Sequence, residues 1–400
     1  MGYTRGEAGL MLTVDFSKRN FLKAAAMLAA GSLMAQQPRG LAEQATRHSG
    51  NKVVLLISGG VRRQETFSAK GAANIPNLSG KLLAQSVFYP NIRNEGITSH
   101  FNSTASILTG NWQRVDAWGN QRPTTPTIFE YLRKDAGLPA GDAWLISSNK
   151  ALTRLIGASS AHEYGSAFGA NVVFPKQLLI NAVEAAIQEG RKQSLSDRTK
   201  AQDEIDNILQ GSNYEGLGWN VLDGTSELDP RARSTIQRAV AALIHGSGPI
   251  TGDEFTYWMS VEIMRKFAPT LLVVGFSDVE AAHFGSYSLH LGGIRNFDRL
   301  AALLWEEIQT NDAYRGRTTL LILPEFGRDF DGASTNGFFN HRSDSESCRN
   351  TWMICMGKAV KNPHVEEGLV RHVDVCPTIA ALLGGPTPNG MGTKLAGLEI

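Results

Sequence analysis

The chain has 400 residues, of which 42% are hydrophobic and 19% charged, with 39 basic and 38 acidic side chains for a net charge of +1. Those proportions describe a globular chain and argue against disordered or fibrous classes. Near-neutral charge excludes a general electrostatic footprint for nucleic acid or an anionic membrane, so an anionic ligand needs a local cluster of cations or metal. Three cysteines, Cys348, Cys355 and Cys376, form no CxxC pair. They read as buried free thiols, not as a disulfide framework or thiolate metal site.

At the N-terminus, SKRNFLK (17–23) followed by AAAMLAAGSLMA (24–35) joins a basic cluster to a short apolar run. This pattern predicts an export signal over 1–42, cleaved after Ala42 or Ala35, with an apolar run too short to span a bilayer. The basic cluster resembles the twin-arginine motif, with Lys18 in place of the first arginine. A periplasmic or secreted bacterial protein without an integral membrane segment in its mature part is expected.

Beyond the signal, NKVVLLISGG (51–60) is an apolar, β-rich run stopped by glycines, which suits a strand buried on both faces of a parallel sheet. A helix-like segment and second strand follow over 75–91, an amphipathic helix over 123–135, and a strand over 142–149. From about 175 to 250 the pattern is helical and more charged, predicting an insertion. Strands resume at 269–278, 318–327 and 351–360, with helices at 294–309 and 373–384. This alternation predicts one α/β domain over 50–400, a doubly wound, mostly parallel sheet with helices on both faces. Ligands of such sheets bind beyond the carboxyl ends of the strands.

Chemistry-bearing residues recur at those ends. HFNST (100–104) offers His100, Asn102, Ser103 and Thr104; FSDVEAAH offers Asp278, Glu280 and His283; PEFGRD offers Glu325, Arg328, Asp329 and, beyond it, Asp331; NHR offers His341 and Arg342. Carboxylates and imidazoles together are the ligands of zinc- or manganese-type sites, and carboxylates suit calcium. Arg62 and Arg63 after the first strand suit an anion or the surface, Glu325 with Arg328 suits a site or a salt bridge, and Asp329 with Asp331 suits calcium or solvent. His372 and Asp374 suit orienting a loop and capping the last helix. Ser103 and Thr104 suit helix capping as well as nucleophilic attack. Asn102 suits a hydrogen bond to a substrate oxygen.

The run VVLLISGG, the helix ending ILTG, TIFEYLRKD, DVEAAH, TLLILPEFGRD and HVDVCPTIAALLG, in this order, resembles the alkaline phosphatase and sulfatase superfamily. It is most similar to exported, sulfatase-like proteins carrying E-F-G-R. The resemblance implies a hydrolase acting on a small phosphate or sulfate ester through one or two divalent ions. It implies Asp278, His283, Glu325 and His341 as ligands, with Glu280 replacing Asp278 in an alternative alignment. The nucleophile position, ten residues before the LTG glycine, is His100, which suits a ligand, a nucleophile, or a capping or packing histidine. Ser103 is a shifted alternative, with Asn102 near the substrate. The first-strand aspartate is absent at Ser58–Gly59, Phe326 stands where the family has a histidine, and the sulfatase pattern C-x-P-S-R is missing. A non-catalytic binding protein of the same fold is therefore the rival, and a transferase acting on phospho-groups in the cell envelope a third reading.

Overall fold

The computed structural model describes residues 50–117, 119–149, 153, 155–175, 251–332 and 337–400. The export signal over 1–42 and nearly all of the insertion at about 175–250 lie outside the described residues. A nine-stranded sheet forms the frame. Its strands are β1 (Lys52–Ser58), β2 (Ser86–Arg93), β3 (Ala143–Ser147), β4 (Asn171–Val173), β5 (Leu271–Phe276), β6 (Thr318–Pro324), β7 (Asn350–Gly357), β8 (His364–Val365) and β9 (Val370–Arg371). The order is β4-β3-β5-β1-β6-β7-β2-β8, with β9 beside β2. β4, β3, β5, β1 and β6 are mutually parallel, and β7 runs against both β6 and β2. The predicted doubly wound, mostly parallel sheet is the observed one.

All seven residues of β1 are buried. Its alternation divides them between two cores, Val54 and Leu56 on one face and Val53, Leu55 and Ile57 on the other. Each branched side chain removed from water contributes about 1.5–3 kcal/mol, so a central strand with no polar side is anchored from both faces.

Helices cover both faces. α1 (His100–Thr109) and α4 (Val375–Leu382) pack on the second core. α2 (Gly252–Phe267) and α3 (Tyr287–Thr310) pack on the first. Residue types set their ends. α1 stops at Gly110, whose φ of 68° is left-handed. α2 starts with a capping box between Thr251 and Glu254. α3 buries Ile294, Phe297, Ala301, Leu304 and Ile308, the three-and-four spacing of one helix face. No helix among the described residues is long and apolar enough to cross a membrane. All three cysteines are buried and free.

β1 lies between β5 and β6 and is parallel to both. Doubly wound sheets hold ligands beyond the carboxyl ends of such strands. The segments leaving β1, β5 and β6 carry Gly59–Gly60, Asp278–His283 and Glu325–Arg328.

Candidate metal centre

Beyond these strand ends, His100, Glu280, His283 and His341 each place one ligand atom within 4.8 Å of the others. The ring centroids of His100 and His341 are 4.7 Å apart, those of His283 and His341 5.0 Å, and those of His100 and His283 5.9 Å. His100 Nε2 and His283 Nε2 each lie 3.1 Å from Glu280 Oε2. His283 Nε2 and His341 Nε2 are 3.2 Å apart. Three Nε2 atoms and a carboxylate oxygen thus converge.

The other ring nitrogens are held from behind. His100 Nδ1 is 2.6 Å from Glu325 Oε2, and the Thr104 hydroxyl donates to Glu325 Oε1 at 2.5 Å. His341 Nδ1 lies 2.5 Å from the Thr98 carbonyl, while the Thr98 hydroxyl donates to the His341 carbonyl at 2.5 Å. A carboxylate or carbonyl accepting from Nδ1–H fixes the tautomer that presents Nε2 as a lone pair. Burial first, and then the positive surroundings of His100 and Arg328, push the His341 pKa well below its ordinary value, favouring the neutral ligand form.

Glu280 reaches the cluster because the residues at the end of β1 have no side chains. A Cβ on Gly59 would lie 2.0 Å from Glu280 Oε1, and one on Gly60 would lie 2.4 Å from the Phe326 ring. Glu280 Oε1 accepts from the Gly60 N–H at 2.8 Å, and its other oxygen pairs with Arg328. Burial works to raise the Glu280 carboxyl, but the Arg328 guanidinium and the His100 ring outweigh it and hold it well below the usual carboxylate range. Glu325 lacks a guanidinium partner. Burial raises its pKa, and its bonds from His100 and Thr104 offset only part of that. The two carboxylates beside His100 are therefore pushed in opposite directions.

Several expectations change against this geometry. Glu280, not Asp278, joins His100, His283 and His341. Residues Asp278–Phe284 form a 3₁₀ turn, in which residues three apart eclipse, so Glu280 and His283 share a side. The Asp278 backbone N–H and carboxylate instead bond with Asp253 and Asn296. Glu325 stands behind His100 and is not one of the four. Arg328 pairs with Glu280, not Glu325.

Ser103 is fully buried, accepts from Asn94 at 2.8 Å and donates to the Ile97 carbonyl at 3.2 Å. Asn102 bonds to Ser99 and to both backbone groups of Val115. These bonds tie the start of α1 to its flanking loops, and neither residue is one of the four that converge.

The remaining candidates are held by partners within the fold. Arg62 is buried against Glu65 and also bonds Asp331, while Arg63 reaches Asn91 at the surface. Asp329 accepts from Arg342 and Ser345, which fixes the loop carrying His341. His372 bonds the Pro324 carbonyl next to Glu325, and Asp374 accepts from Arg371 and Thr393.

The cluster opens on one side. His100 and Glu280 are buried, whereas the His283 side chain is 22% exposed. An ion held there would be reachable from solvent past His283.

No protein-family model matches the chain, and no curated protein sequence matches it. Solved structures do. A protein in the alkaline phosphatase superfamily from Vibrio parahaemolyticus is similar over 93% of this chain and 77% of that one, at 13% identity and a TM-score of 0.53. A phosphonate monoester hydrolase from Silicibacter pomeroyi is similar over 86% of this chain and 76% of that one, at 15% identity and a TM-score of 0.52. A 2-O GAG sulfatase is similar over 87% of this chain and 74% of that one, at 10% identity and a TM-score of 0.50. Identities this low speak for the fold alone. The chain has the fold of the alkaline phosphatase superfamily.

Proposed function

We propose that the protein is a metal-dependent hydrolase-like protein of the cell envelope that acts on a phosphate or sulfate ester. The carrying observation is the convergence of His100, Glu280, His283 and His341 beyond the carboxyl ends of the central strands. Three imidazoles and one carboxylate suit zinc or manganese; calcium prefers an all-oxygen shell. A bound divalent ion supplies Lewis-acid polarisation of the ester and acidification of water.

The chain's own residues do the rest. Glu325 and Thr98 hold the rings of His100 and His341 with Nε2 forward, and Arg328 and Gly60 hold the Glu280 carboxylate in place. Asp329 secures the loop that brings His341 to the cluster. With His100 used as a ligand and Ser103 sequestered, no hydroxyl side chain is assigned as nucleophile, and water is the attacking group. The open side at His283 admits the ester.

The sequestered Ser103 also favours a second reading, a binding protein of the same fold that holds an anionic ester without cleaving it. Turnover of aryl phosphate and aryl sulfate by residues 43–400, with zinc or manganese supplied, separates the two. Metal-dependent product release supports the hydrolase. Tight metal binding with ester binding and no turnover supports the binding protein. No metal binding and no turnover sinks the hydrolase.

A further inference from the structure

The unit formed by Glu280, Arg328 and Phe326 is more elaborate than a ligand set requires. Arg328 is fully buried. Its Nε donates to the Gly60 carbonyl at 2.6 Å, and its Nη1 to the carbonyls of Phe338 and Phe339 at 3.2 and 3.3 Å. Its Nη2 contacts Glu280 Oε2, the oxygen that His100 Nε2 and His283 Nε2 approach at 3.1 Å. A guanidinium keeps its proton, so a permanent positive charge is fixed within the cluster's own carboxylate contact.

Phe326 closes another direction. Its ring is fully buried, 5.0 Å from the His100 ring and stacked 4.3 Å from that of His341. The end of β1 adds no ligand, because the space beside Gly59 holds Glu280 and that beside Gly60 holds Phe326.

We propose that Arg328 is a built-in cation of this centre, standing where a second divalent ion would need Glu280, so that the protein takes one divalent ion per chain. The inference rests on the metal reading above and adds to it the stoichiometry and the role of Arg328. Glu280 and Arg328 cancel in charge, and ligating imidazoles are neutral. A single divalent ion then keeps its full double charge towards an anionic ester. Two ions with the guanidinium would set five positive charges against the carboxylates of Glu280 and Glu325, at separations where repulsion is poorly screened.

The test is zinc, and separately manganese, titrated into chelator-stripped full-length protein, with calorimetry and metal analysis after gel filtration. Arg328→Gln and Arg328→Lys are measured alongside, with folding checked by circular dichroism. One equivalent is expected for the unaltered protein. With the guanidinium gone from beside Glu280, Arg328→Gln should take up a second equivalent of zinc, whereas Arg328→Lys, which keeps a cation there, should stay at one. Two equivalents in the unaltered protein overturn the inference and leave the metal reading standing. No bound ion overturns the metal reading beneath it. A folded Arg328→Gln that stays at one equivalent overturns the role given to Arg328. Should Arg328→Gln fail to fold, the stoichiometry of the unaltered protein and of Arg328→Lys decides.

Discussion

At the end of β6 one carboxylate settles which nitrogen of His100 faces the cluster. Glu325 takes Nδ1 at 2.6 Å and is itself steadied by Thr104, one helical turn beyond His100. Glu325→Gln leaves a weaker acceptor there, and zinc affinity should fall by about 10–100-fold with the fold intact. Thr104→Val removes only the steadying bond and should cost less; competition with a chromogenic chelator ranks the two. Ser103→Ala should behave in the opposite way. It leaves the Asn94 amide without its partner, so stability should drop by roughly 1–3 kcal/mol in urea unfolding while zinc affinity stays unchanged. A loss of zinc binding in Ser103→Ala, with folding preserved, would return Ser103 to the site.

At the scale of elements, α3 and the segments around Asp329 and His341 decide where the ligands sit. Gly293 of α3 lies so close to the turn before Glu280 that a Cβ would stand 2.8 Å from the Asp278 and Val279 backbone. Gly293→Ala should therefore destabilise the fold by about 1–3 kcal/mol and, by displacing the turn, weaken zinc binding too. Calorimetry and metal titration of the same sample check both parts.

The His341 loop depends on Asp329. Burial works to raise its carboxyl, but the bonds from Arg342, Ser345 and the Phe330 N–H prevail and lower it. A carboxylate with a lowered folded pKa contributes stability that is present above its unfolded value of about 3.9 and is lost as pH falls through the folded value. Amide protection in 337–349, taken relative to intrinsic exchange, should therefore fall below about pH 4, ahead of the strands, and Asp329→Asn should show that lower protection already at pH 7. Protection independent of pH in this window would contradict the loop's dependence on Asp329.

Much of this scale was legible in the sequence. VVLLIS, LLVVGF and TLLIL announce buried parallel strands because burial on both faces removes polar alternation. Glu280 was harder to read, since an Asp-to-His count favours Asp278. Only the threefold period of a 3₁₀ turn, Glu-x-x-His at 280 and 283, brings the right pair to one side. The partnership of Arg328 with Glu280 spans 48 residues, and no local pattern encodes it. Whether Ser103 faces a cleft or a loop likewise depends on Asn94 and Ile97, which a helix-start pattern does not reveal.

For the whole molecule, the centre ties together segments that follow different elements: α1 through His100, the turn after β5 through Glu280 and His283, and the loop after β6 through His341. A ligand that binds only the folded state stabilises it by mass action, about 2.7 kcal/mol at a hundredfold excess over Kd. Chelation should therefore lower Tm, and zinc should restore it in the unaltered protein but not in His341→Ala. X-ray absorption at the metal edge of the zinc-loaded protein tests the central claim most directly. A first shell of imidazole nitrogens and a carboxylate oxygen at about 2.0–2.2 Å, losing one nitrogen in His341→Ala, is the expected result. An oxygen-only shell, or a spectrum unchanged in His341→Ala, would contradict the metal centre.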